Sequence, residues 1–105
     1  LSPDTKAVVI IGHFRLPAES LDSAREPMAR VVAATRAEPG CIKYAYAGEP
    51  GDPGLIHVSE VWESQAALDA HFASAHMKQW QAERAGLGLS DRQITSYTVS
   101  GRKTL

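Results

Sequence analysis

The apolar residues of this chain switch between a two-residue and a 3.6-residue spacing, and the order of the switches is strand, helix, strand, strand, helix, strand. Residues 5 to 16, TKAVVIIGHFRL, are rich in β-branched side chains and end at Pro17, which reads as a strand. Val8, Ile10, Gly12 and Phe14 would share one of its faces, and Ala7, Val9, Ile11 and His13 the other. From 20 to 37 the period becomes helical, with Leu21, Ala24, Met28, Val31, Val32 and Thr35 on one side. Ser20 or Ser23 can cap that helix. Ser23 with Glu26 reads as a capping box, which would put Pro27 near the first turn; from the earlier cap, Pro27 would kink the helix. Glu38-Pro39-Gly40 then stops it.

Residues 41 to 48, CIKYAYAG, alternate as a strand with Ile42, Tyr44 and Tyr46 on one side. The prolines and glycines of 49 to 54, EPGDPG, read as a loop, and 55 to 62, LIHVSEVW, as the partner strand of a hairpin. That strand carries Ile56, Val58, Glu60 and Trp62 on one face. Ser64 caps a second helix whose apolar face holds Leu68, His71, Phe72 and Ala75, and Ser74 offers a cap for an offset continuation. A last strand covers 92 to 100, RQITSYTVS. This order predicts a ferredoxin-like α+β fold over a single domain, 1 to 105, with a four-stranded antiparallel sheet and two helices on one face. The other sheet face would be left bare, and a homodimer packing sheet on sheet is the expected way to cover it.

Eleven basic and twelve acidic residues are interspersed and give a net charge of -1, so nothing offers a nucleic acid backbone a basic surface. No apolar run approaches the roughly 20 residues that span a bilayer, and no secretory signal layout opens the sequence. A cytoplasmic protein is expected, with a start residue or tag lost ahead of Leu1. The one cysteine, Cys41, excludes an internal disulfide and reads as a small packing residue. No glycine-rich phosphate loop supports nucleotide or flavin binding.

Unusual side chains concentrate between 60 and 80, EVWESQAALDAHFASAHMKQW. His71 lies on the inward side of the second helix, and a neutral imidazole is a suitable general base near neutral pH, although a buried histidine also serves as core. Trp62 can form an aromatic wall against which a flat substrate stacks, or simply fill the core. Glu60 shares its strand face and can orient His71 or another donor, or pair with an arginine such as Arg92. Tyr44 and Tyr46 share a face, and either could hydrogen-bond a substrate oxygen. Leu68 and Phe72 complete the substrate-binding set. On a continuous helix His76 lies roughly 140° from His71, so the two would not share a metal. His13 and His57 lack ligand companions at suitable spacing. No metal site and no cofactor are expected.

With those residues in hand, the chain resembles the antibiotic biosynthesis monooxygenase family over about residues 7 to 100. The resemblance is carried by EPGCIKY (38 to 44), EVWES (60 to 64) and AHFASAHMKQW (70 to 80), and within the family it is similar to the bacterial quinol monooxygenases. It implies a small dimeric α+β barrel and cofactor-independent oxygenation of a quinol, anthrone or related phenol by dioxygen. It also implies His71 as base, Tyr44 as hydrogen-bond partner, Trp62 as stacking wall and Glu60 as orienting carboxylate. The haem-degrading branch uses an Asn on the first strand where this chain reads Gly12-His13-Phe14, which disfavours that activity. A non-catalytic small-molecule-binding or stress-response dimer on the same scaffold is the alternative, and tight quinone binding without oxygen uptake would distinguish it.

Overall fold

The computed structural model describes residues 6–105. Strand β1 (Ala7–Arg15) leads through a 3-10 turn (Ala18–Ser20) into helix α1 (Leu21–Arg36). Strands β2 (Cys41–Glu49) and β3 (Asp52–Trp62) follow, then helices α2 (Gln65–Phe72) and α3 (Ala75–Ala85), and strand β4 (Ser90–Val99). The four strands form one antiparallel sheet in the order β2-β3-β1-β4, the ferredoxin-like arrangement that the spacing predicts. The expected start of β1 at Thr5 lies outside the described residues.

The alternation on β1 and β3 works as a strand pattern should. Val8, Ile10 and Phe14 on β1 and Ile56, Val58, Glu60 and Trp62 on β3 are all buried against the helices. Two clusters divide this core. One packs Phe14, Leu16, Val31, Ile56, Met77 and Trp80 together, with α1 and α3 supplying the helical side chains. The other packs Val8, Ile10, Tyr44, Trp62 and Leu68 at the α2 end of the sheet. Each buried aliphatic side chain here stabilises the fold by about 1.5–3 kcal/mol relative to exposure. Gly12 interrupts the apolar face for a steric reason: a Cβ there would meet the Gln93 carbonyl oxygen of β4 at 2.1 Å.

Ser74 caps an offset continuation of the second helix, as expected, and the division makes three helices rather than two among the described residues. Three local expectations need correction. Helix α1 starts at Leu21 and forms no capping box; the Ser23 hydroxyl donates to the Ser20 carbonyl, and Pro27 sits well inside the helix. Glu26 instead pairs with Arg30, which also reaches Glu83 at 2.8 Å and ties α1 to α3. Ile42 does not share a face with Tyr44, because the β2–β3 register shifts between Cys41 and Lys43 and leaves Ile42 exposed. Finally, the expected loop of 49 to 54 shrinks to Pro50-Gly51, since β3 begins at Asp52. Gly51 takes φ 84, the conformation a Pro-Gly turn requires, and Asp52 is held by Arg15 at 2.9 Å.

Candidate functional site

The break at Ser74 creates the site. Ser74 has extended backbone, so it ends α2 and starts α3 in a new direction. Its hydroxyl donates to the His71 carbonyl at 2.6 Å and accepts from the Met77 amide at 3.3 Å, fastening both helix ends with one side chain. The 140° separation of His71 and His76 on a continuous helix therefore does not apply. Both rings turn toward one carboxylate oxygen: His71 Nδ1 lies 2.6 Å and His76 Nε2 lies 3.0 Å from Glu38 Oε2.

Glu38 comes from the turn after α1. Gly40 takes φ 84 there, and a Cβ at Gly40 would meet the Ala67 Cβ of α2 at 2.5 Å. That close approach lets the exit of α1 run directly against α2 and brings Glu38 beside His71. A carboxylate oxygen only accepts, so Nδ1 of His71 donates and Nε2 is left as the free ring nitrogen. Burial lowers the His71 pKa, outweighing the hydrogen bond and charge of Glu38, which act to raise it. Neutral His71 is thus the favoured form near neutral pH.

His71 is 1% exposed and lines a small cavity of about 50 Å³ together with Tyr44, Tyr46, Glu60 and Phe72. Both tyrosines reach that cavity, and their hydroxyls hydrogen-bond each other at 2.7 Å. Burial raises both phenol pKa values, Tyr44's furthest, so both remain protonated. Phe72 is 50% exposed and stands at the cavity's edge rather than in the core.

Trp62 and Leu68 are buried behind this group and do not line the cavity. The Trp62 ring lies 4.8 Å from the His71 ring, centroid to centroid, so it backs the imidazole. Its indole N–H donates to Glu60 Oε1 at 2.9 Å. Glu60 accordingly holds Trp62, and the carboxylate bonded to His71 is Glu38. Strand alternation sends Glu60 and Trp62 to one face, where they satisfy each other. Burial raises the Glu60 pKa, opposed by the Trp62 hydrogen bond and the charge of Arg92.

Two basic residues also line the cavity. Arg84 on α3 and Arg92 on β4 line it, and neither has an ion-pair partner among the described residues. Burial and the adjacent Arg92 charge lower the Arg84 pKa. Two cations that line one cavity beside Glu60, with no ion-pair partner within 4 Å among the described residues, make a place for an anionic group. The sequence reading missed Arg84 and the role of Glu38. A signal for Glu38 existed, because a carboxylate just past a helix C-terminus opposes the helix dipole.

A larger groove of about 620 Å³ lies elsewhere, between α1 and the β2–β3 hairpin. It is lined by Met28, Val32, Ile56 and Tyr46 but holds none of the histidines.

Comparison with known proteins agrees with this architecture. The family model for antibiotic biosynthesis monooxygenases matches residues 7–83. A crystal structure from Deinococcus radiodurans, named as a candidate antibiotic biosynthesis monooxygenase, superposes with a TM-score of 0.84 at 26% identity, covering 93% of this chain and 97% of that one. A conserved protein from Methanosarcina mazei has a TM-score of 0.80 at 22% identity, covering 90% and 94% of the two chains. An uncharacterised Synechocystis protein, sll1783, is 24% identical over 98 residues, covering 93% of this chain and 67% of its own length.

The raised Glu60 pKa has a consequence for stability. Folding favours the protonated acid, so Glu60's contribution is fully present below its unfolded pKa and is lost as pH rises through the folded one. Glu60→Gln keeps an oxygen to accept from Trp62 but removes the charge. The variant should melt a few degrees above wild type at pH 8, with the gap closing toward pH 4. Thermal scans across that range test this, and a gap independent of pH would contradict it.

Proposed function

The chain belongs to the antibiotic biosynthesis monooxygenase family, and from that premise we propose that it is a cofactor-independent monooxygenase acting on a quinol, anthrone or related phenol in the cytoplasm. The observation that carries this reading is the Glu38–His71 hydrogen bond, with the free Nε2 on a residue that lines the cavity. Nε2 takes a proton from the substrate, and the resulting anion is held by Arg84 and Arg92. Within the Tyr44–Tyr46 hydroxyl pair one O–H donates to the other, and the second is left to donate a hydrogen bond to a substrate oxygen. The electron-rich anion reacts with dioxygen itself. One oxygen atom enters the substrate carbon and the other leaves as water, with both electron pairs supplied by the substrate. Trp62 fixes the plane of the imidazole from behind, and Glu38 supplies the orientation that the sequence reading gave to Glu60.

The cavity's size sets a condition on entrance. At about 50 Å³ it is well below the roughly 150 Å³ that takes up benzene in an engineered core. A ring substrate therefore binds by displacing Phe72, the half-exposed side chain at the edge. The second reading is a dimer that binds a small molecule on the same scaffold without turning it over. For assembly we propose a homodimer through the open sheet face, where Ile11 and Tyr97 are 51% and 52% exposed on neighbouring strands. Sedimentation equilibrium reads this directly: twice the chain mass is expected, and a monomer at micromolar concentration would exclude it.

Oxygen uptake by metal-free protein given a reduced naphthoquinol or an anthrone, corrected for autoxidation, tests the activity. His71→Ala should remain folded by circular dichroism and lose about 10²–10⁴-fold in kcat/KM, the usual share of a general base. Glu38→Gln should lose less, because a Gln oxygen still accepts from Nδ1. Activity requires neutral His71, so it should fall as pH drops through that group's lowered pKa, with the acid limb centred below the ordinary imidazole value. Wild-type rates in His71→Ala would remove the base assignment. Quinone binding with no uptake would establish the second reading.

A further inference from the structure

Glu38, His71 and His76 offer more than a hydrogen-bond relay. Their ligand atoms all lie within 4.8 Å of one another, and they come from three separate pieces of backbone: the turn after α1, the end of α2 and the start of α3. The carboxylate oxygen already faces Nδ1 of His71 at 2.6 Å and Nε2 of His76 at 3.0 Å. A tetrahedral ion with bonds of roughly 2.0–2.1 Å holds its ligands about 3.4 Å apart. The two gaps to Glu38 need to widen by less than about 1 Å to reach that separation. The His71 and His76 rings, 6.1 Å apart and inclined at 49°, leave room for an ion between their nitrogens.

We propose that Glu38, His71 and His76 form a reversible Zn²⁺ site whose occupancy removes the base of the proposed reaction. Two imidazoles and one carboxylate suit Zn²⁺ and its transition-metal neighbours and do not suit Ca²⁺ or Mg²⁺, which take oxygen ligands. The Glu38 and His76 side chains are 13% and 24% exposed, against 1% for His71. An ion therefore arrives from the solvent side and keeps a water there as its fourth ligand. The remaining ring nitrogens, His71 Nε2 and His76 Nδ1, have no hydrogen-bond partner among the described residues. Outer hydrogen bonds of that kind strengthen metal binding about 10–100-fold, so a site without them exchanges its ion.

The effect on His71 follows from the chemistry of the ring. A metal on Nδ1 needs the lone pair there, so the ring's single proton moves to Nε2. His76 likewise coordinates through Nε2, so the proton it donates to Glu38 from that nitrogen moves to Nδ1. No net proton is gained or lost by two neutral rings, but the cavity nitrogen of His71 changes from acceptor to donor. It can no longer take a proton from a phenol. This second half rests on the reading of function above, whereas the metal site stands on geometry alone.

The test uses the full chain after EDTA treatment and dialysis. Calorimetric titration with Zn²⁺ should give one ion per chain, and His76→Ala and Glu38→Gln, confirmed as folded by circular dichroism, should each bind at least tenfold more weakly. Co²⁺ in the wild type should give the intense visible bands of four- or five-coordination. No saturable binding, unchanged binding in His76→Ala, or a weak six-coordinate Co²⁺ spectrum would each overturn the site. Oxygen uptake measured with one equivalent of Zn²⁺ should drop at least tenfold and return on adding EDTA. Binding with undiminished uptake would overturn the switch and leave the site. Absence of uptake in the metal-free protein would remove the functional reading and the switch with it, while the binding arms still decide the site.

Discussion

The hydrogen bond between Glu38 and His71 is the interaction on which the rest of the site depends. It joins the exit of α1 to the last turn of α2, and through His76 it reaches the first turn of α3. A carboxylate at a helix C-terminus is unfavourable by itself, because the helix dipole presents negative charge there. Two imidazoles offset that cost. The arrangement also fixes which nitrogen of a fully buried ring carries its proton, which packing alone does not determine. Three backbone features make it possible: the positive φ of Gly40, the extended backbone at Ser74, and the close contact of Gly40 with Ala67.

Around this bond the ionisable groups are sorted by environment into different protonation states. Burial drives His71 toward the neutral base and both tyrosines toward neutral phenols. Glu60 is pushed toward the protonated acid and is occupied with Trp62. The arginines remain as unpaired cations at the same cavity. Groups pulled apart in this way divide the tasks of accepting a proton, donating hydrogen bonds and holding an anion. Glu60 lines the same cavity, so its shift toward the neutral acid reduces the charge that would oppose the proposed substrate anion.

Much of the fold was legible because sheets and helices leave different spacings. The buried sets on β1 and β3 follow strict alternation, and Ser64 and Ser74 cap helices as serine should. What was not legible involved one-residue events that spacing cannot register. The bulge at Ile42 and the two-residue Pro50-Gly51 turn change register without changing composition. Helix α1 starts ahead of the Ser23–Glu26 pair because that pair matches a capping pattern that the first turn does not use. For the site, one-strand reasoning brought Glu60 toward His71 when its neighbour Trp62 was the nearer partner. Glu38 lies 33 residues from His71 in sequence, and only the third dimension sets them side by side. Arg84 carried no local mark beyond a position on a helix face.

The most direct measurement is the tautomer of His71, read by long-range nitrogen–proton correlation NMR on uniformly ¹⁵N-labelled, metal-free protein at neutral pH. A neutral ring with the proton on Nδ1 and an unprotonated Nε2 is expected, and this preference should weaken in Glu38→Ala. A proton on Nε2, or a ring charged at neutral pH, would contradict the assignment of His71 as a base held by Glu38.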